Sequence, residues 1–204
     1  MRLDLSSQIV LDRVPQRYYK SDNEFELSAL SRFEKVATNI YESSIEGSSE
    51  VAKEIASRIR SKQAKNETFV LALPGGHSPQ TIFQDLIRMH KEEGLSVENV
   101  IVFNIYEFYP LSPQSASNLA VLKDNFLNHV NVKAENIYSP DGQAPQSDIL
   151  DHCRNFEETI EKVGGIDYAL LGLGRAGNIG INIAGSSLNS NTRMVILDVQ
   201  SRKE

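Results

Sequence analysis

Thr68-Phe-Val-Leu-Ala-Leu-Pro-Gly-Gly-His-Ser-Pro79 is the stretch on which the fold turns. Its first half runs from Phe69 to Leu73 without a polar residue. A strand with one wet face alternates apolar and polar residues, so an unbroken run suits a strand buried on both faces of a parallel sheet. The second half is a turn into a helix. Gly75 and Gly76 let the backbone bend sharply and come close to a ligand. Ser78 suits an N-cap. Pro79 suits the first helical position, where its missing N–H costs nothing. The helix expected from Pro79 to about Glu93 carries Ile82, Phe83, Leu86 and Met89 inward. Unpaired N–H groups and the positive end of that helix favour an anion. Gly75, Gly76, His77 and Ser78 are therefore a candidate phosphate-binding turn. An ordinary strand-to-helix turn that binds nothing satisfies the same pattern.

The rest of the chain extends this unit. Upstream, Val51, Ile55 and Ile59, with Ala52 and Ala56, share one helical face. Downstream, Asn99–Asn104 reads as a second buried strand, Ser117–His129 and Ser147–Val163 as helices, Ile166–Gly172 as a third buried strand and Arg193–Leu197 as a fourth. Strands alternating with helices imply an α/β fold: three layers, αβα, with a mostly parallel, Rossmann-like sheet. Ligands of such sheets bind beyond the carboxyl ends of the strands, which selects the loops 73–79, 104–117 and 172–186. Residues 1–45 are polar and weakly patterned, with one helix expected over Glu24–Tyr41. They are expected to form an N-terminal helical extension packing on a domain of residues 46–204.

Composition narrows the function classes. The 204 residues are 40% hydrophobic, enough for a sizeable core. A net charge of −6 argues against a broad basic face for nucleic acid. Cys153 is the only cysteine, so no intrachain disulfide forms, which suits a reducing compartment. The N-terminus lacks the apolar core of a signal peptide, and no apolar stretch approaches the roughly 18 residues that span a bilayer. The expectation is a cytoplasmic protein without a membrane partner. His77, His90, His129 and His152 follow no metal-ligand spacing, and His152 and Cys153, as helical neighbours, diverge. Neither a metal nor a cofactor is expected.

The phosphate turn, together with four further stretches, resembles the glucosamine-6-phosphate deaminases, and at the turn also the related 6-phosphogluconolactonases. Val102-Phe-Asn-Ile-Tyr-Glu-Phe-Tyr-Pro-Leu111 is similar to the family's F-N-M-D-E-Y-x-x-L. Ala134-Glu-Asn-Ile137, Leu171-Gly-Leu-Gly-Arg-Ala-Gly-Asn-Ile-Gly-Ile-Asn182 and Ser186-Ser-Leu-Asn-Ser-Asn-Thr-Arg193 follow in the family's order. The resemblance runs from about residue 48 to residue 202. It implies the deaminase and phosphogluconolactonase fold, a hexosamine 6-phosphate as ligand, a place in amino-sugar metabolism and a homo-oligomer. It also implies that the C-terminal part of the family domain, with a lysine that holds the sugar phosphate, lies beyond the residues present.

The resemblance further implies altered chemistry. The family moves a proton between C2 and C1 of the opened amino sugar and releases ammonia. Its aspartate base falls at Tyr106, whose phenol stays protonated at neutral pH, with Glu107 retained beside it but pointing in a different direction. Its ring-opening histidine falls at Asn178, an amide that cannot shuttle a proton. The histidine's two supporting carboxylates fall at Ala176 and Ile183. Each lost acid or base is worth about 10²–10⁴-fold in rate, so deamination is expected to be very slow. Asn178 counts equally against lactonase chemistry. In the phosphate turn, His77 replaces a glycine and either adds a donor or narrows the pocket. Ser186 and Arg193 match positions that bind a second sugar phosphate in some allosteric deaminases; Arg193 also reads as a surface residue opening a strand. A non-catalytic sugar-phosphate-binding or assembly module is the alternative. A second alternative, a dinucleotide-binding oxidoreductase, rests on Gly172-Leu-Gly-Arg-Ala-Gly177 with Asp198 about 20 residues on. The glycines and β-branched residues that follow make a poor helix, which weighs against it.

Overall fold

The computed structural model describes residues 37–112, 117–174 and 177–197. The chain divides into two units, Met1–Gly47 and Ser48–Glu204. The expected helix Glu24–Tyr41 lies mostly outside the described residues, and its last part, 37–41, is irregular rather than helical.

In chain order the elements are α1 (Ser44–Ala64), β1 (Phe69–Leu73), α2 (Gln80–Glu92), β2 (Val100–Asn104), α3 (Asn118–Asn125), β3 (Ile137–Tyr138), α4 (Ile149–Lys162) and β4 (Tyr168–Ala169). All three strand pairings are parallel, in the order β3-β2-β1-β4. The strand β1 is central and all five of its residues are buried, as its apolar run requires. It pairs with β2 from Phe69↔Val100 to Leu73↔Asn104, and with β4 at Leu71↔Tyr168 and Ala72↔Ala169.

The alternation of side chains along a strand builds two cores. Phe69, Leu71 and Leu73 face one way, with Val100 and Val102 of β2. That face meets Ala52, Ile55, Ala56 and Ile59 of α1, Ile82, Phe83, Leu86 and Met89 of α2, and Leu122 of α3. Val70, Ala72 and Phe103 face the other way, onto Phe156 and Ile160 of α4. Helices on both sides of a parallel sheet make the three-layer α/β architecture anticipated from the alternating pattern.

Several elements depart from the sequence expectation. The segment Ser117–His129 is a helix only to Asn125. Phe126, at φ −145°, breaks it to stack on Phe83 with ring centroids 5.0 Å apart, and a 3-10 turn, Leu127–His129, follows. Burial of an aromatic ring outweighs one more helical turn, since it is worth roughly 1.5–3 kcal/mol. The third strand, expected as buried over Ile166–Gly172, shrinks to Tyr168–Ala169, while Ile166 and Leu171 are 43% and 49% exposed. The fourth, Arg193–Leu197, forms no strand; Met194 and Ile196 are 58% and 83% exposed. Apolar runs become regular strands only where neighbours supply both a ladder and cover, and neither segment has both. A two-residue strand, β3, was not signalled by any apolar run; it forms because Ile137 and Tyr138 lie against Val102 and Phe103.

Phe83, on the inward face of α2, is wholly buried and stacks on the Phe126 ring. Phe83→Ala should therefore cost about 3–5 kcal/mol, read as a lower urea midpoint at unchanged m-value.

Candidate functional site

Because β2, β1 and β4 are adjacent and parallel, their carboxyl ends share one edge of the sheet. The chain steps outward from β1 to β2 to β3, then returns to the other side of β1 for β4. Such a reversal of strand order opens a crevice beyond the strand ends, the usual ligand position in open α/β sheets. The loops that follow Leu73, Asn104 and Ala169 start at this edge. Two shallow surface depressions elsewhere, one around Glu157 and Thr192 and one around Lys62 and Asp167, include no residue of the 74–79 turn.

The turn itself is shaped by two glycines for different reasons. Gly76 sits at φ +97° in open space, so its requirement is conformational. Gly75 is buried, and its requirement is steric. A Cβ there would lie 2.6 Å from the Asn118 carbonyl oxygen and 2.8 Å from its Oδ1. His77 and Ser78 are exposed. Among the described residues, the backbone N–H groups of Gly75, Gly76, His77 and Ser78 meet no acceptor. One expectation is corrected here: α2 begins at Gln80, its N-cap is Pro79, and Ser78 makes no capping hydrogen bond. The His77 carbonyl accepts from the Gln80 N–H, and the His77 ring pairs with the Gln80 amide at 3.1 Å. A reverse turn over 77–80 thus takes the place of the side-chain cap.

The loop after β2 holds Tyr106 and Glu107. The Tyr106 ring packs edge-on to Phe108, 6.2 Å away. Burial of the ring and, secondarily, the Glu107 charge push its phenol above the ordinary value. It stays protonated at neutral pH and offers no base. The Glu107 carboxylate is fully occupied. Oε1 accepts from the N–H groups of Phe108 and Asn118 at 2.9 and 2.8 Å, and Oε2 from Ser117 Oγ and the Leu119 N–H at 2.7 and 3.2 Å. It lies at the N-terminus of α3, where an anion is favoured.

The loop after β4 closes on itself. The Asn178 carbonyl accepts from the Gly174 N–H at 2.8 Å, and its Nδ2 donates to the Gly180 carbonyl at 2.8 Å. A side chain at Gly174 would collide with that amide. Ile183 is 43% exposed; Ala176 lies outside the described residues. Ser186 donates its N–H to the Ile183 carbonyl. Arg193 is exposed and does not meet Ser186; it donates to Asn182 Oδ1 at 2.9 Å and Ser190 Oγ at 2.6 Å. Arg193 does not open a strand. The glycine fingerprint at 172–177 runs into isolated bridges, Leu173↔Ile179 and Ile179↔Asn182, and no helix follows among residues 177–197. Without a helix N-terminus the pyrophosphate seat of a dinucleotide site is missing; Asp198 lies outside the described residues.

The other histidines serve locally. His90 Nδ1 lies 2.6 Å from the Leu95 carbonyl, His129 Nε2 lies 2.8 Å from that of Asp124, and His152 is 4.0 Å from Asp141. Sequence reasoning did not single out Asn104 and Asn118, both buried, whose Oδ1 and Nδ2 respectively have no partner. A polar residue closing the apolar run of β2 was the available signal for the first. Among the described residues, no helix is long and apolar enough to cross a membrane.

A Rossmann-like three-layer sheet with a glycine turn at its switch point is the class this architecture defines. The chain belongs, within that class, to the glucosamine-6-phosphate isomerase/6-phosphogluconolactonase family, whose model matches residues 42–181. It is 54% identical over 205 residues to a glucosamine-6-phosphate deaminase-like protein of Bacteroides thetaiotaomicron, an alignment covering 100% of this chain and 31% of that protein. It is 37% identical over 149 residues to the glucosamine-6-phosphate deaminase of Thermoanaerobacter sp., covering 72% of this chain and 58% of that enzyme. Among solved structures, a monomeric glucosamine-6-phosphate deaminase superposes with a TM-score of 0.73 at 33% identity, over 80% of this chain and 66% of that one. The 6-phosphogluconolactonase of Trypanosoma brucei, at 17% identity and a TM-score of 0.58, shares the fold.

Gly75→Ala and Gly76→Ala separate the two glycine requirements. Gly75→Ala forces Asn118 and α3 aside and should cost about 1–3 kcal/mol by overpacking; Gly76→Ala should cost about 1–3 kcal/mol through backbone strain alone. Urea titrations give the two costs, and only Gly75→Ala should displace Asn118 in a crystal structure.

Proposed function

We propose that this chain binds a hexosamine 6-phosphate, with the phosphate seated on the Gly75–Ser78 turn, and turns it over slowly or not at all. The observation that carries this is the row of four backbone N–H groups without acceptors, at the start of α2 and at the switch point of the sheet. Such a row, aided by the helix dipole, complements a phosphate without needing a charged side chain. The kinship with glucosamine-6-phosphate deaminases supplies the sugar.

Slow turnover rests on the residues matched to the family's acids and bases. Tyr106 holds its proton, Asn178 spends its amide on its own loop, and Ala176 and Ile183 have nothing to ionise. Glu107 does not replace the missing base, because four donors already hold its carboxylate.

Millimolar glucosamine 6-phosphate should raise the melting temperature by roughly 5–10 °C at about a hundredfold excess over Kd, whereas NADPH should leave it unchanged. No shift with the sugar phosphate overturns the binding proposal. Ammonia release at an ordinary enzyme rate, about 1–10³ s⁻¹, overturns slow turnover.

A further inference from the structure

We propose that Glu107 is a positioning residue for the phosphate turn: it anchors the N-terminus of α3 so that Asn118 braces Gly75. The link is a continuous line of contacts. The stem of Glu107 is held from behind, since a Cβ on Gly142 would come within 3.1 Å of Glu107 Cγ and 2.5 Å of the Phe108 carbonyl oxygen. The Leu111 N–H donates to the Gly142 carbonyl at 2.7 Å, fixing the same loop a second time. From this fixed stem the carboxylate accepts from Ser117 Oγ and from the N–H groups of Asn118 and Leu119. Charge-assisted hydrogen bonds of this kind are about twice as strong as neutral ones.

Asn118 then transmits the anchorage. It is buried, and its carbonyl oxygen, Oδ1 and Cα stand where a side chain on Gly75 would be. Its own Nδ2 has no partner, so that amide group does not tether the residue. The backbone N–H bonded to Glu107 does. Releasing the carboxylate frees the first turn of α3 to move, and the backbone of Gly75 loses the wall against which it is packed. The four N–H groups of Gly75–Ser78 are aligned only while that wall stands. Glu107 thus contributes to phosphate affinity from behind the turn, with no contact to the ligand and no proton transfer.

The phosphate-affinity part rests on the binding proposal above; the brace does not. The test uses backbone amide NMR of the free protein, then titration with inorganic phosphate and with glucosamine 6-phosphate. Glu107→Gln keeps the size of the side chain but puts an NH₂ group against N–H donors. It should shift the amide resonances of Ser117–Leu119 and also those of Gly75–Ser78, while those of α4 stay in place. Its Kd for either ligand should rise about tenfold, a coupling of the usual size between two linked sites. Gly75→Ala should produce the reciprocal shift at Ser117–Leu119, because a coupling acts in both directions. It serves as the second probe should Glu107→Gln fail to fold. Shifts confined to the mutated side in both variants overturn the brace. If the wild-type protein binds neither ligand, the binding proposal falls, and the free-protein spectra still decide the brace.

Discussion

A central parallel strand buried on both faces is the constraint from which the rest of the structure follows. The strand β1 has a ladder on each edge and a core on each side. It therefore has no free face, and its only exit is through its carboxyl end. The chain must turn there, within a few residues, into a helix that packs back on the sheet. Pro-Gly-Gly does this: a side chain at Gly75 would collide with Asn118, and Gly76 supplies the positive φ. The same geometry that completes the core therefore leaves a row of unpaired backbone donors at the sheet edge. The packing of the core and the exposure of those donors share one cause.

The elements nearest β1 were legible in the sequence because they carry unbroken or strictly periodic apolar patterns. The faces of α1 and α2 follow the Val51–Ile59 and Ile82–Met89 stripes, and β2 follows its apolar run. Legibility decreased toward the periphery. Ile166–Gly172 and Arg193–Leu197 have strand-like composition, but composition reports the capacity to be buried, not the presence of a neighbour to do it. The strand β3 shows the converse, two half-buried residues ordered by pairing with β2 and by packing, Tyr138 stacking on Phe103. Phe126 was hidden for another reason: a helical pattern does not disclose that one residue will leave it to stack on a ring 43 positions earlier.

At the site, the readable features were those encoded by residue type. Two glycines before a helix, a phenol at Tyr106 and an amide at Asn178 can be recognised without coordinates. Relations between distant residues cannot. Ser78 looked like a cap, yet the backbone turn at 77–80 made the cap unnecessary. Glu107 looked like a remnant of the chemistry because it neighbours Tyr106. Its four donors come from residues 108 and 117–119, and only the folded loop brings the latter three to it. Asn118 carries no signature of its role, since bracing a glycine requires shape rather than a particular chemistry.

The unequal burial of the turn has a consequence for how this protein can diversify. Gly75 admits no side chain and Gly76 tolerates few, whereas His77 and Ser78 face solvent and carry nothing of the core. The backbone of the turn is thus locked, while the two exposed side chains beside it are free to vary. Mutation can explore the rim of the crevice at these positions without disturbing its floor. The selectivity of the proposed site can drift on a timescale set by two surface codons, independently of the slower change permitted to the sheet beneath them.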